Sequence, residues 1–289
     1  LGDVYKRQGY AERNIKPSLG SKQIRKITSA DVQTLYRKLQ REGGVDGGAL
    51  SPTTVRRIHG VLHQALNAAV DRHLIVKNPT DDVTLPKKVT AAKTILNDKQ
   101  LERFMEAIKA DEHWHDFFYL EITTGLRRGE LLALQWTDLD VESKTLSITK
   151  QVNRINGELV VSPPKTRNSV RTLALPQQAV DLLIAEHKKH SRNPYMFPSP
   201  KTGTMYDPDA FRRTHDKILK AIGAEHIRFH DLRHTFATLS LKSGVDVRTL
   251  SETLGHFSAG FTLSTYVHST PGMKQSAADA IGNTIRNAI

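Results

Sequence analysis

A Thr-Gly-Leu-Arg segment near the middle of the chain combines a residue that permits a sharp turn with charged residues that can bind an anion. Residues 124–130 read TGLRRGE. Gly125 is expected to end one helix and to turn the chain before the next helix. Arg127 and Glu130 then lie near a helix N-terminus, where backbone N–H groups favour an anion. Arg127 can donate to two phosphate oxygens while the carboxylate fixes its rotamer, and an ordinary surface Arg–Glu pair is the alternative interpretation.

A second charged segment lies about one hundred residues further on and reads HDLRH over residues 230–234. A spacing of three places His230 and Arg233 on one face of a helix, and His234 is also a neighbour of His230. Two histidines four residues apart resemble a zinc-peptidase pattern, but that pattern has Glu in the second position and needs a third ligand from elsewhere. Arg233 could bind a phosphate, whereas a metal site would not need an arginine. The phosphate interpretation is therefore favoured.

Two further segments near the C-terminus carry a histidine and a tyrosine. Residues 254–256 read LGH, and residues 266–268 read YVH. Each segment is a weak indicator by itself, because a single histidine or tyrosine most often has a structural role. The order of all the segments along the chain is what makes His256 and Tyr266 candidates.

The balance of charge indicates a polyanionic partner. The formal net charge is +12 and the sequence pI is about 9.8. Lysines and arginines that neutralise phosphates release condensed counterions, which fits a nucleic acid, although a merely basic soluble protein is the alternative. Cysteine is absent, which excludes disulfides and thiolate metal sites. We find no apolar run long enough for a bilayer and no signal-peptide pattern, and we expect an intracellular protein.

Residues 9–88 are predicted to form a small helical domain. Thr28 and Asp31 are expected to start one helix, and Ser51 followed by Pro52 a second helix. Apolar residues at helical spacing mark the buried face of each helix. They are Val32, Leu35, Tyr36 and Leu39 in the first helix and Val55, Ile58, Leu62, Ala65 and Ala69 in the second.

Residues 95–289 are predicted to form a second domain of mixed α+β structure. Asn97 is expected to cap its first helix. Residues 145–149 and 170–175 alternate as short strands do, with a hairpin turn at Asn156-Gly157 between them. Near the C-terminus an apolar residue recurs every four positions, which fits an amphipathic helix that docks on its own domain or on a neighbouring protomer. These residues are Met273, Ala277, Ile281, Ile285 and Ile289.

The fold is therefore expected to be mainly α-helical with a small antiparallel β-hairpin or sheet. A length of 289 residues is sufficient for two domains, here joined by a linker at 89–94. Residues 3–8, DVYKRQ, read back as GAT GTG TAT AAG AGA CAG, which resembles the end of a transposase-based sequencing adapter. We expect residues 1–8 to be an assembly scar and the natural protein to begin upstream, with a genuine N-terminal tail as the alternative.

Taken in order, these segments resemble the signature of the tyrosine recombinases, the family of phage and transposon integrases. That signature has a TG-x-R-x-x-E box, an H-x-x-R box, and LGH followed by a tyrosine. The family also has a lysine on a β-hairpin between the first two boxes, and Lys165, ahead of the strand at Val170, matches that position. The resemblance covers the chain from about residue 9. Gly260 and Phe261 depart from it, because small polar residues are common there.

The resemblance implies a helical core DNA-binding domain, a catalytic domain, and a role for each residue of the site. The implied catalytic residues are Arg127, Lys165, His230, Arg233, His256 and Tyr266, with Glu130 holding Arg127 in place. Tyr266 would attack the phosphate and form a 3′-phosphotyrosine. His230 would accept its proton, and Lys165 would protonate the leaving oxygen. The two arginines and His256 would stabilise the charge on the phosphate.

The resemblance further implies a cytoplasmic enzyme of bacterial or phage origin that needs neither a cofactor nor a metal. It would act on double-stranded DNA attachment sites in the nucleoid as a homotetramer, with accessory host or excision factors as further partners. A type IB topoisomerase shares the same catalytic residue types, although the compact HDLRH and LGH segments favour a recombinase. A non-catalytic DNA-binding regulator is a second possible class, and a metallopeptidase is a more distant third.

Overall fold

The computed structural model of the chain describes residues 2–88, 94–155, 157–164, 166–189 and 191–256, together with residues 260, 262, 263, 279 and 286. It divides into two units, residues 1–92 and 93–289. Lys165 and Tyr266 lie outside the described residues, as do Asn156 of the predicted turn and the apolar positions of the predicted C-terminal helix.

Helices make up most of the N-terminal unit. They are α1 (Gly2–Tyr10), α2 (Lys16–Leu19), α3 (Ser29–Glu42) and α4 (Pro52–Asp71), with a π-helical turn at Ala11–Ile15 and a 3₁₀ turn at Ile24–Lys26. The predicted helix starts are confirmed. Thr28 and Asp31 form a capping box, in which each side chain accepts a hydrogen bond from the other residue's backbone N–H. The Ser51 side chain caps α4, and Pro52 is its first residue.

The predicted core of this unit is confirmed with one correction. All the apolar positions predicted to be buried in α3 and α4 are buried except Ala65, which is exposed, and Leu66 is buried in its place. Both positions fit the spacing from Leu62, since a helical turn contains 3.6 residues. The larger side chain of Leu66 removes more apolar surface from water when it turns inward, which leaves Ala65 facing the solvent.

The C-terminal unit is built around a larger apolar core. Its helices are α5 (Asp98–Lys109), α6 (His115–Thr124), α7 (Arg128–Leu132), α8 (Gln177–Lys189), α9 (Arg212–Ala221), α10 (Phe229–Lys242) and α11 (Val247–Leu254). Asn97 caps α5 as predicted. Phe104, Phe117, Phe118 and Phe211 are fully buried together and join α5, α6 and the start of α9. Within the described ranges, no helix is long and apolar enough to cross a membrane.

Short antiparallel strands complete this unit. They are β1 (Leu139–Asp140), β2 (Thr145–Ile148), β3 (Gln151–Ile155), β4 (Glu158–Ser162) and β5 (Arg171–Ala174). The two predicted strands are present as β2 and β5 and pair directly, with Leu146 opposite Leu173. The predicted turn does not join them, because Gly157 lies in a separate hairpin of β3 and β4 that the sequence pattern did not predict. The expected fold class, mainly α with small antiparallel sheets, is confirmed.

Candidate active site

The turn predicted at Gly125 is present and requires glycine. Helix α6 ends at Thr124, and Gly125 follows in the left-handed conformation with φ of 60°. A Cβ atom at this position would lie 2.5 Å from Cδ1 of Phe236. Any other residue would therefore combine backbone strain with a steric clash. The turn also directs the Gly125 carbonyl towards α10, where it accepts a hydrogen bond from Nη1 of Arg233 at 2.7 Å.

Glu130 organises the start of α7. Its carboxylate accepts the backbone N–H of Arg127 at 2.9 Å and Nη1 of the same residue at 2.7 Å. Glu130 itself thus binds the first backbone N–H of this helix start, and an external anion at the helix N-terminus stays a prediction. The Arg127 guanidinium is the group that can meet a phosphate, since 32% of its side chain is exposed while Glu130 is buried.

The HDLRH segment forms the first part of α10, and its residues differ strongly in exposure. His230 is exposed, whereas Arg233 and His234 are buried. The His230 and His234 rings meet edge to face with centroids 5.0 Å apart. No group of three or more metal-ligating side chains is found among the described residues. The guanidinium of Arg233 is directed into the protein and lies beneath the surface that Arg127 reaches.

The LGH segment ends α11, and three arginines of the site donate hydrogen bonds to this helix end. Gly255 is left-handed with φ of 62°, and three consecutive carbonyls at this helix end each accept a hydrogen bond from an arginine. The Thr253 carbonyl accepts Nε of Arg171 at 2.6 Å, the Leu254 carbonyl accepts Nη2 of Arg233 at 2.5 Å, and the Gly255 carbonyl accepts Nη2 of Arg127 at 2.8 Å. Because a helix C-terminus carries partial negative charge, it is suited to hold several cations together.

Arg171 was not identified from the sequence. It is the first residue of β5, and its Nη1 and Nη2 atoms donate to the two carboxylate oxygens of Glu130 at 3.2 and 3.0 Å. A signal for it was present, because a strand alternates its faces and Arg171 shares the inward face with the buried Leu173. A charged residue on the inward face of a strand indicates a buried partner.

Glu121 was also missed. It lies on α6 one turn before Gly125, whose N–H donates to the Glu121 carbonyl. Its carboxyl group is fully buried, and within the described part of the chain neither of its oxygens has a hydrogen-bond partner. Burial raises the pKa of Glu121 well above its ordinary value, and the positive charge of Arg233 opposes that rise. The sequence offered only the presence of an acid among the apolar residues of a buried helix.

His256 follows the carbonyl cluster directly. Its Nδ1 atom lies 2.7 Å from Oγ1 of Thr262, and its backbone N–H donates to the Ser251 carbonyl. Burial, followed by the nearby charges of the three arginines, lowers the pKa of His256 to about 3. The imidazole is therefore neutral at physiological pH and can donate through one ring nitrogen.

The structure thus brings together Arg127, Glu130, Arg233 and His256 of the predicted site and adds Arg171. His230 lies on the same helix as Arg233 but is exposed. Thr166 and Ser169 follow Lys165 in the sequence and precede β5, and their hydroxyl groups lie 2.9 Å apart. The assignments of Lys165 and Tyr266 stay predictions.

The sequence as a whole matches a known family. Residues 94–273 match the phage integrase family, and residues 4–40 match a phage integrase N-terminal SAM-like domain. Because the first match covers more than half of the chain, the chain belongs to the phage integrase family, whose members are tyrosine recombinases. The second match and α1 both extend into residues 1–8. That these residues are an assembly scar stays a prediction, and sequencing upstream of the gene would test it.

Named relatives include a XerC-like tyrosine recombinase from Caldanaerobacter subterraneus subsp. tengcongensis. It is 29% identical over an alignment of 309 positions, which covers 96% of this chain and 77% of the relative. The ICEBs1 integrase of Bacillus subtilis is 29% identical over 296 residues, which cover 98% of this chain and 78% of that integrase.

Solved structures share the fold. The Tn1549 transposon integrase in complex with a circular intermediate DNA matches with a TM-score of 0.82 and 21% identity, covering 97% of this chain and 93% of that one. A lambda integrase dimer bound to a core site matches with a TM-score of 0.65 and 16% identity, covering 92% and 71%.

Proposed function

We propose that this protein is a site-specific DNA recombinase that cleaves and rejoins DNA through a 3′-phosphotyrosine, for the integration or excision of a mobile element. The observation that carries the proposal is the convergence of Arg127, Arg233 and His256 on the end of α11 in a member of the phage integrase family. Positive charge that is held in place before the substrate binds is what attack on an anionic phosphodiester requires.

In the proposed cleavage step, the phenol oxygen of Tyr266 attacks the phosphorus atom and the bond from phosphorus to the 5′-oxygen breaks. His230, which is exposed on α10, accepts the phenol proton. A phenol with an ordinary pKa of about 10 is protonated at neutral pH, so a base is needed. Lys165 donates a proton to the leaving 5′-oxygen. Rejoining reverses these steps with another strand and needs no ATP, because the phosphotyrosine conserves the energy of the broken linkage.

The arginines stabilise the charge that develops on the phosphate. Arg127 makes the first contact because its guanidinium reaches the surface, and Arg233 contributes its charge from the buried side. Glu130 fixes the rotamer of Arg127. His256 adds a hydrogen bond without adding charge, since its lowered pKa keeps the imidazole neutral. Positive charge from side chains thereby does the work that a metal ion does in other phosphoryl-transfer enzymes.

The proposed partner is double-stranded DNA that contains an attachment site, bound in the bacterial cytoplasm. The net charge of +12 supports this, because phosphate contacts give affinity that does not depend on sequence. We further propose assembly as a homotetramer on DNA, and the involvement of accessory host or excision factors. A lambda integrase of similar fold is known as a tetramer bound to a Holliday junction, which supports the proposed tetramer.

Replacing Tyr266 by Phe tests the proposal, because only the attacking oxygen is lost. DNA affinity should stay within a few-fold of wild type, while covalent protein–DNA adducts that resist denaturation should disappear. Tyr195→Phe is the matched control and should still form adducts. Adducts in the Tyr266 variant would show that the nucleophile is misassigned. A wild-type protein that binds DNA without forming adducts would instead be a non-catalytic regulator, and relaxation of supercoils by a monomer without strand exchange would indicate a topoisomerase.

A sulfur substitution tests the role of Lys165. Lys165→Ala should slow the cleavage of ordinary DNA by roughly a hundred-fold or more, as is typical when a general acid is lost. The same variant should recover most of its activity on DNA with sulfur in place of the bridging 5′-oxygen, because a thiolate leaves without protonation. Arg127→Ala should show no such recovery, since that arginine acts on the non-bridging oxygens. Equal recovery of both variants would assign the acid to another residue, with His256 as the next candidate.

A further inference from the structure

Arg171 has its donors directed to protein atoms of three separate segments. Its Nε donates to the Thr253 carbonyl, its Nη1 to the Ser169 carbonyl and to Glu130, and its Nη2 to the second oxygen of Glu130. Only 7% of its side chain is exposed, against 32% for Arg127. A guanidinium that is bound in this way is not available to contact a phosphate directly.

The charge of Arg171 nevertheless changes what Arg127 can do. Glu130 accepts hydrogen bonds from both arginines, so its single negative charge is shared between two positive charges. If Glu130 faced Arg127 alone, the two would form a neutral pair, and the charge that develops on the phosphate during cleavage would be stabilised less. With Arg171 present, the group keeps a net positive charge, which is felt strongly in a buried environment.

Arg171 also connects the segments that the proposed reaction uses. Its bond to Thr253 fixes the end of α11, whose next two carbonyls hold Arg233 and Arg127. Its bond to Ser169 fixes the turn that leads from the Lys165 segment into β5. One side chain thus sets the relative position of the arginine cluster and of the segment that carries the proposed acid.

We propose that Arg171 is a positioning residue for DNA cleavage, which holds Glu130 and the end of α11 so that Arg127 stays aligned and positively charged. This inference rests on the proposed recombinase function. It requires the planar fork of an arginine and not merely a positive charge, because a lysine ammonium cannot bind both carboxylate oxygens and the Thr253 carbonyl in this geometry.

The experiment measures single-turnover formation of the covalent adduct at saturating DNA for wild type, Arg171→Ala and Arg171→Lys. Both variants should lose about ten- to a hundred-fold in rate, the range expected when reacting groups are misaligned, while the dissociation constant for DNA changes little. Arg248→Ala is the matched control, because Arg248 also pairs with a glutamate but is exposed on the surface of α11. It should cleave at the wild-type rate. A wild-type rate in Arg171→Lys would overturn the proposal.

A neutral substrate separates positioning from a purely structural role. In DNA with a methyl group in place of one non-bridging oxygen of the cleaved phosphate, less negative charge has to be stabilised. The ratio of rates on neutral and ordinary DNA should therefore rise in Arg171→Ala, in the same direction as in Arg127→Ala but by a smaller factor. The ratio comes from one preparation, so it does not depend on the fraction of protein that is folded.

The outcomes distinguish this inference from the proposed function. Should Arg171→Ala fail to fold, the ratio is measured in Arg171→Lys, where it should also rise because Arg127 is misaligned. A ratio equal to that of wild type in the folded variant would show that Arg171 only stabilises the fold. Absence of adducts from wild type and from Arg248→Ala would instead show that the proposed recombinase function is wrong.

Discussion

Glu121 and Glu130 lie on consecutive helices and are both buried, but their surroundings are opposite. Burial by itself would raise the pKa of Glu130, yet hydrogen bonds from Arg171 and the charges of Arg171 and Arg127 outweigh it and hold the pKa below its ordinary value. Glu121 has no hydrogen-bond partner within the described part of the chain, and its pKa is raised. The comparison shows that the partners of a buried acid can outweigh the effect of burial on its charge.

The difference has a physical meaning for the site. Glu130 is an ionised group that holds arginines, and removing it leaves buried positive charges without compensation. Glu121 is shifted towards its neutral form and accepts no hydrogen bond among the described residues. Substitutions at the two positions should therefore change the stability of the protein by different amounts and in opposite directions.

Replacing Glu130 by Leu should destabilise the protein strongly, because Arg171 would remain buried without its counter-charge. Breaking one side of a buried ion pair typically costs about 3–5 kcal/mol. The free energy of unfolding from urea titration should fall by this amount, and adduct formation should be lost. A loss of under about 1 kcal/mol would mean that Glu130 stabilises little and that the contrast with Glu121 is false.

Replacing Glu121 by Met should have the opposite sign. The two side chains are similar in length, and methionine removes the buried polar atoms without leaving a large cavity. Since an unsatisfied buried polar group costs about 1–3 kcal/mol, the free energy of unfolding should stay the same or rise by up to that amount. The same urea titration measures it. A large destabilisation would show that Glu121 is engaged by a partner.

The two acids also predict opposite dependences of stability on pH. The raised pKa of Glu121 means that the folded protein binds this proton more tightly than the unfolded chain. Its contribution is therefore present below the ordinary value of 4.5 and is lost as the pH rises through the folded-state pKa. The lowered pKa of Glu130 gives stability that is present above 4.5 and lost as the pH falls.

The pH dependence is measured as a difference between two proteins. The unfolding free energy of wild type minus that of Glu121→Met should decrease as the pH rises from about 4 to 8. The remaining titrating groups are common to both proteins and cancel in the difference. A difference that stays constant over this range would show that Glu121 titrates normally.

His256 provides the same comparison for a base. Its expected effect on stability is the smallest of those considered. Burial is the main cause that lowers the pKa of His256 to about 3. The positive charges of the nearby arginines, which favour an ionised Glu130, also disfavour the protonated imidazole. The stability linked to its neutral form is present above the ordinary value of 6.5 and is lost as the pH falls towards 3. Nitrogen NMR of the imidazole should show a neutral ring throughout the range from about pH 5 to 8. Titration near 6.5 would contradict this.

Local features of the chain were predictable from the sequence because their causes are local. The capping box at Thr28 and the left-handed turn at Gly125 depend on residues within one helical turn. The contacts that assemble the site are not local. Arg171 meets Thr253 across 82 residues, and Arg233 meets Gly125 across 108 residues. Spacing rules do not reach that far, so only the resemblance to a family placed the arginines together, and it did not include Arg171.

The missed hairpin has a similar explanation. The strand pattern at 145–149 and 170–175 was visible, and the Asn-Gly turn was correctly located near Gly157. The pattern did not show which strands pair, because β2 pairs with β5 and not with a strand of the adjacent hairpin. The partner of a strand is decided by how its inward face completes the core, here with Leu146 opposite Leu173, and not by the nearest turn.

The row of carbonyls at Thr253, Leu254 and Gly255 restricts how this segment can change in length. Successive residues of a helix are rotated by about 100° about its axis. A single residue inserted or deleted within the last turn of α11, ahead of Thr253, would therefore turn all three oxygens away from their arginines at once. The loop before Asp246 carries none of these bonds. Length variation among functional homologues should thus be tolerated ahead of α11 and absent from its last turn.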